Sequence, residues 1–118
     1  MTLAERIKEQ TQAQFSELVN NREKIETPAL LPYRELTLDA VDLVTKDDGS
    51  MYCVVVFKEF PDNFYFGGKV LTDIAIAIYN ALEAETGIPI YLTEDVKVNA
   101  NTQRSKNGRN YIKWEIIT

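Results

Sequence analysis

Two alternating runs joined by Asn107-Gly108 constrain this chain more than any other feature. Val96-Lys97-Val98-Asn99 alternates apolar and polar residues, and Tyr111-Ile112-Lys113-Trp114-Glu115-Ile116 alternates again. A period of two is that of a strand with one buried face. Asn-Gly between two such runs predicts a β-hairpin, because both residues tolerate the positive φ of a type I′ turn. The turn is read over Ser105-Lys106-Asn107-Gly108-Arg109. The hairpin holds Lys97, Arg104, Lys106, Arg109 and Lys113, with no acidic residue between the first and last of these. A hairpin alone is not stable in water, so the rest of the chain must supply strands or a helix to cover it.

Composition permits this. The 118 residues suffice for one modest core. Apolar residues make up 45% and charged residues 26%, which is globular rather than disordered. No apolar run reaches the length of a membrane span. The start, Met1-Thr2-Leu3-Ala4-Glu5-Arg6, is too polar for a signal peptide. A cytoplasmic location, in a bacterial host, is the expectation. Cys53 stands alone beside Val54-Val55-Val56 and reads as a buried structural thiol.

The chain has no histidine. The usual general base, the commonest metal ligand and every Ser/His or Cys/His relay are therefore missing. A zinc site is close to excluded. A non-enzymatic protein without metal or cofactor is expected. Net charge is −5 and uneven: residues 1–60 carry 11 acidic and 7 basic side chains, residues 61–118 carry 7 and 6. A protein this acidic does not coat duplex DNA nonspecifically, although a local basic finger can still touch phosphates.

Thr2-Leu3-Ala4-Glu5 has the form of a capping box. Leu3, Ile7, Thr11, Phe15, Leu18 and Val19 follow at helical spacing, so residues 1–22 are read as an amphipathic helix. Its narrow stripe suits a helix pair, hence a homodimer. Pro28 and Pro32 mark residues 23–35 as a connector. Residues 36–118 are read as an antiparallel α+β domain. Leu36-Thr37-Leu38-Asp39-Ala40 places its apolar residues at even positions and Val41-Asp42-Leu43 at odd ones. That change of phase predicts a β-bulge between Ala40 and Val41. Met51–Phe60 and Phe64–Phe66 are further strands. Val70, Leu71, Ile74, Ile78, Ala81 and Leu82 predict a helix, with Gly87 as its left-handed cap and Pro89 beyond it. Ile88–Leu92 opens strand four. The fold class expected is α+β: an N-terminal helix and a five-to-six-stranded antiparallel sheet with one helix between strands three and four. The order suits an OB-like barrel, and equally an open sheet with a helix on one face.

Three groups of residues are candidate sites. Lys97, Arg104, Lys106, Arg109 and Lys113 offer cations to phosphates, and Tyr111 shares a face with Lys113. Trp114 lies on the other face, with Ile112 and Ile116, and reads as core. The bland alternative is a solvated hairpin whose lysines protect a sheet edge. Tyr65, opposed to Phe64 and Phe66 in parity, is a second stacking candidate if it points outward. Gly67-Gly68-Lys69 at a helix start has the form of an anion site but lacks phosphate-loop spacing, and a strand-to-helix turn explains it. The acidic pairs Asp47-Asp48 and Glu94-Asp95 lack a third metal ligand by spacing, so no metal is assigned.

Tyr52-Cys53-Val54-Val55-Val56-Phe57-Lys58-Glu59 with Phe64-Tyr65-Phe66-Gly67-Gly68-Lys69-Val70-Leu71-Thr72 resembles small, uncharacterised proteins of phages and prophages of Gram-positive bacteria. Asn21-Arg22-Glu23-Lys24-Ile25-Glu26-Thr27 fits the same group. Ser105-Lys106-Asn107-Gly108-Arg109-Asn110-Tyr111 is similar to the hairpin tip of some phage single-stranded DNA-binding proteins. The resemblance implies a phage-type accessory protein that binds single-stranded nucleic acid. A second expectation, from the acidic net charge, is an anti-CRISPR-like inhibitor that docks on a basic host defence protein.

Overall fold

A computed structural model describes residues 2–3 and 16–117. Six strands form one sheet: β1 (Glu23–Lys24), β2 (Leu36–Thr45), β3 (Met51–Phe57), β4 (Asn63–Gly67), β5 (Ile90–Arg104) and β6 (Asn110–Ile117). The helices are a single turn, α1 (Thr27–Leu30), and α2 (Lys69–Ala81). Strand order across the sheet is β1-β4-β3-β2-β5-β6. All neighbours are antiparallel except β1 and β4, which run parallel. The sheet is thus mixed, and the connector 23–35 contributes an edge strand and a helical turn to it. With β1 counted, α2 follows the fourth strand and not the third. Of the helix expected over residues 1–22, the greater part lies outside the described residues, and Glu17–Val19 forms a 3₁₀ turn.

The sheet curls into a half-barrel. β4 and β6 are separated by three strands, so their side chains would stand about 19 Å apart in a flat sheet, at roughly 4.8 Å per strand. Instead Tyr65 of β4 meets Trp114 of β6 with ring centroids 5.7 Å apart. Trp114 also stacks on Phe57 of β3 at 5.8 Å with 13° between the planes. No ladder joins β4 to β6, so the barrel stays open on that side.

One extra residue in β2 makes the curl possible. The register with β3 shifts between Leu38 and Ala40. Leu36 and Leu38 face the core that holds α2, as do Val41 and Leu43, while Ala40 and Val44 face the other side. The bulge therefore falls at Asp39, one residue before the expected position, and Ala40 has already crossed. On the other flank, Leu38 pairs with Val96 and Ala40 with Tyr91, so Leu92–Asp95 arch out opposite Asp39. The expected fourth strand and the first arm of the hairpin are consequently one strand, bent at Glu94-Asp95.

β3 is buried on both faces. Cys53, Val55 and Phe57 pack toward α2, and Val54 and Val56 pack with Leu18 on the opposite side. That explains its near-continuous apolar sequence. Gly67 pairs with Cys53 across β3 and β4. A Cβ on Gly67 would lie 2.2 Å from Cys53 Sγ and 3.1 Å from Leu71 Cβ. Gly67→Ala is expected to cost roughly 1–3 kcal/mol by overpacking. Adding Cys53→Ala should recover part of that loss, because the two sites are coupled through one contact. Strictly additive free energies in urea titrations would contradict the clash.

The buried stripe of α2 is Leu71, Ala75 and Tyr79, with Thr72 beside it. Of the expected face, Leu71 is buried, Val70, Ile74 and Ile78 are half-buried, and Ala81 and Leu82 are exposed. The helix is turned by about one residue. Two contacts set this phase. Leu71 fits against Gly67, and the Tyr79 hydroxyl lies 2.6 Å from Ile88 O, with Val41 O at 3.2 Å and Asp42 Oδ1 at 3.3 Å. A buried hydroxyl requires such partners.

α2 stops earlier than expected. Ala84 N–H donates to Tyr79 O and Glu83 N–H to Asn80 O, the two bonds of a Schellman motif. The left-handed residue is Glu83, with φ 52°, and not Gly87, which is left-handed in the later turn. A side chain costs about 1 kcal/mol there, and a carboxylate opposes the helix dipole. Glu83→Gly is expected to stabilise the fold by roughly 0.5–1 kcal/mol, despite glycine's larger unfolded-state entropy. A lower midpoint of thermal unfolding would contradict this.

Candidate nucleic-acid interface

The β5–β6 ladder runs in unbroken register from Lys97↔Ile117 to Arg104↔Asn110. Opposed residues of an antiparallel pair share a face. Val98, Ala100 and Trp114 therefore enter the core together, and Asn99, Asn101, Gln103, Tyr111 and Lys113 share the outer face. Trp114 is core, as its parity predicts. Tyr111 is exposed.

The tip is not a type I′ turn. Gly108 N–H donates to Ser105 O at 2.9 Å, and Ser105 N–H donates to Arg109 O at 2.8 Å. Only Gly108 is left-handed, with φ 77°, and Asn107 is not among the positive-φ residues. This is a type I turn over Lys106-Asn107 followed by a glycine bulge. Ser105 Oγ also accepts from Arg109 N–H at 3.3 Å, which fixes the start of the returning strand.

The five hairpin cations divide into two groups. Lys97 pairs with Glu35 at 3.3 Å, and Lys113 pairs with Glu115 at 3.1 Å. Both pairs are exposed and add little stability, but each cation has a local counter-charge. Arg104, Lys106 and Arg109 have no ion-pair partner among the described residues. They stand together at the tip, and the Arg104 guanidinium folds toward Gly108. The structure gathers these three with Tyr111 and leaves Lys97 at the far end of the ladder.

Tyr65 does not point outward. It is 7% exposed and lies in the main core between Phe57 and Trp114. Its hydroxyl is 2.7 Å from Thr27 Oγ1 of α1. The curl places the β4 odd face inside, so its ring is not available to a base. What Tyr65 does is form the floor of the open side of the half-barrel. There, Ile112 and Trp114 of β6 and Val70 and Lys69 of α2 line a cleft of about 410 Å³, with Tyr111 at its edge. Lys69 brings a cation to this cleft. Asn101 and Gln103 add amide groups on the outer face, Gln103 directly opposite Tyr111. Sequence reasoning missed all three. Lys69 stands in the Gly-Gly-Lys turn, whose sequence has only the form of an anion loop, and the two amides follow from the alternation once the register is known.

The other sequence candidates have local explanations. Asp48 accepts from Ser50 N–H and Oγ–H at 2.9 and 2.6 Å, and these bonds hold its carboxyl below the usual range. Asp95 pairs with Lys58 at 2.8 Å, which lowers the carboxyl and raises the ammonium. Burial pushes the Cys53 thiol up to about 11, far from a nucleophile's range at neutral pH. Asp42, buried beside Ser16 and Tyr79, has its pKa raised by desolvation. Among the described residues no group of three acidic, Cys or His side chains is placed to hold a metal, and no helix is long and apolar enough to cross a membrane.

No family model matches the chain, and neither the curated proteins nor the solved structures contain a match to it.

Proposed function

We propose that this protein is a non-enzymatic, phage-type accessory protein whose half-barrel is OB-like and binds single-stranded nucleic acid through the β5–β6 hairpin. The observation that carries this reading is the set of three tip cations without carboxylate partners, next to exposed Tyr111 and the Lys69 cleft. The half-barrel supports it. Five strands in the order β4-β3-β2-β5-β6, a bulge in β2, and a loop between β5 and β6 that projects past the barrel suit an OB-like scaffold. Arg104, Lys106 and Arg109 would take phosphates, Tyr111 would stack on a base, and Lys69 would hold a further phosphate across the cleft. Lys97 and Lys113 contribute less, because Glu35 and Glu115 already neutralise them.

The acidic remainder of the chain sets the specificity expected. A duplex would bring its dense charge against carboxylates beyond the tip, whereas a single strand can follow the hairpin alone. Competition between a labelled oligo-dT and an unlabelled duplex of the same length tests this. Displacement only by a large excess of duplex is expected. Equal competition by duplex would reduce the reading to undirected electrostatics.

A further inference from the structure

At the opposite end of β5 from the hairpin tip lies an apolar groove. Ile78 of α2 and Leu82 at its C-cap form one wall and Ile90, Leu92 and Val96 of β5 the other, around a volume of about 260 Å³. Leu82, Ile88 and Tyr91 are 57%, 58% and 60% exposed. Large apolar side chains concentrated in this way mark an interaction surface. Glu94 lines the groove. Residues 82–95 include Glu83, Glu85, Glu94 and Asp95 and no cation. Asp95 is held by Lys58, but the three glutamates have no ion-pair partner among the described residues.

The complement of this groove is on the same molecule. β5 begins at Ile90 in the groove and ends at Arg104 at the tip. The groove and the tip therefore lie at the two ends of this 15-residue strand. The tip offers three unpaired cations against Glu94 in the groove and Glu83 and Glu85 in the loop that follows α2. Exposed Tyr111, two residues from Arg109, offers a ring to the apolar walls, and arginine stems can lie on such walls with their heads at the rim.

We infer that the groove between α2 and β5, with Glu94 in its lining, is a docking site for the basic hairpin tip of a second copy of this chain. Donor and acceptor sit at opposite ends, so the contact is head-to-tail and extends as an open array. Opposite charges steer the encounter and make it salt-sensitive. The inference goes beyond nucleic-acid binding and does not require it. Single strands would compete for the same tip.

Sedimentation velocity of the full chain without nucleic acid tests it, over a concentration series at low and high salt. At low salt the average sedimentation coefficient should rise with concentration without a plateau at the dimer, and high salt should return it to the monomer value. Glu83→Lys with Glu94→Lys, and separately Arg104→Glu with Arg109→Glu, should each weaken association at least about tenfold. An equimolar mixture of the two variants should restore it, because each supplies the surface that suits the other. A wild-type monomer throughout the low-salt series, a closed dimer, association that survives either reversal, or a mixture that stays monomeric would each overturn the inference.

Discussion

Lys106→Glu with Arg109→Glu is expected to lose single-strand binding while unfolding at the wild-type temperature. Both side chains are exposed at the tip, and neither has an ion-pair partner among the described residues. Their backbone carries the turn, but the turn bonds run between Ser105, Gly108 and Arg109 main-chain atoms and the Ser105 hydroxyl. Reversing the side-chain charges therefore leaves the fold alone. Binding should change in two ways. Affinity at low salt should fall by at least about tenfold, and the slope of log K against log salt should flatten by about 1.4, at roughly 0.7 for each phosphate contact removed. Lys97→Glu with Lys113→Glu is the informative control. Those lysines are already paired, so the same change of charge should cost less. If both double variants lost equal affinity, net charge and not the tip would govern binding.

Trp114→Ala is expected to have the largest effect on stability. Trp114 is 4% exposed, stacks on Phe57, and touches Tyr65 across the open side of the half-barrel. It ties β6 to strands that no hydrogen-bonded ladder joins to it. Truncating a buried tryptophan costs about 3–5 kcal/mol, a large part of a domain's 5–15 kcal/mol. In a chain of this size the thermal midpoint should drop by on the order of 15 °C. Trp114→Phe should keep most of the stability, because the stack with Phe57 survives. A loss below about 1 kcal/mol in denaturant titration would mean that β6 does not close against the core. As the sole tryptophan, Trp114 also reports the transition directly.

Local periodicity made the hairpin, the bulge and the burial of Trp114 legible. Each follows from which side of a strand a residue occupies, and alternation fixes that. Tyr65 shows where such reading stops. Phe64-Tyr65-Phe66 has no polar residue to mark the outer face, so only the curl of the whole sheet decides that Tyr65 is inside. The helix phase was similarly open. α2 carries apolar side chains on more than one stripe, and long-range contacts choose among them: Leu71 at Gly67 and the Tyr79 hydroxyl at the end of the sheet. The turn type differs from the expected one because Asn-Gly suits a type I′ turn, while the bonds of Ser105 favour a type I turn with the bulge at Gly108. β1 is two residues long and pairs in parallel with a strand 40 residues away, which leaves no local trace. At the site, the tip cations were visible from spacing. Which of them stay unpaired depended on Glu35, which is far away in sequence, and on Glu115.

The most direct measurement is fluorescence anisotropy of a labelled oligo-dT titrated with the wild-type protein at several salt concentrations. With three tip cations and Lys69 on phosphates, binding should weaken with salt at a log–log slope of about −3, at roughly 0.7 per contact. No binding at the lowest salt would contradict the account, and would make Arg104, Lys106 and Arg109 the solvated end of a sheet edge.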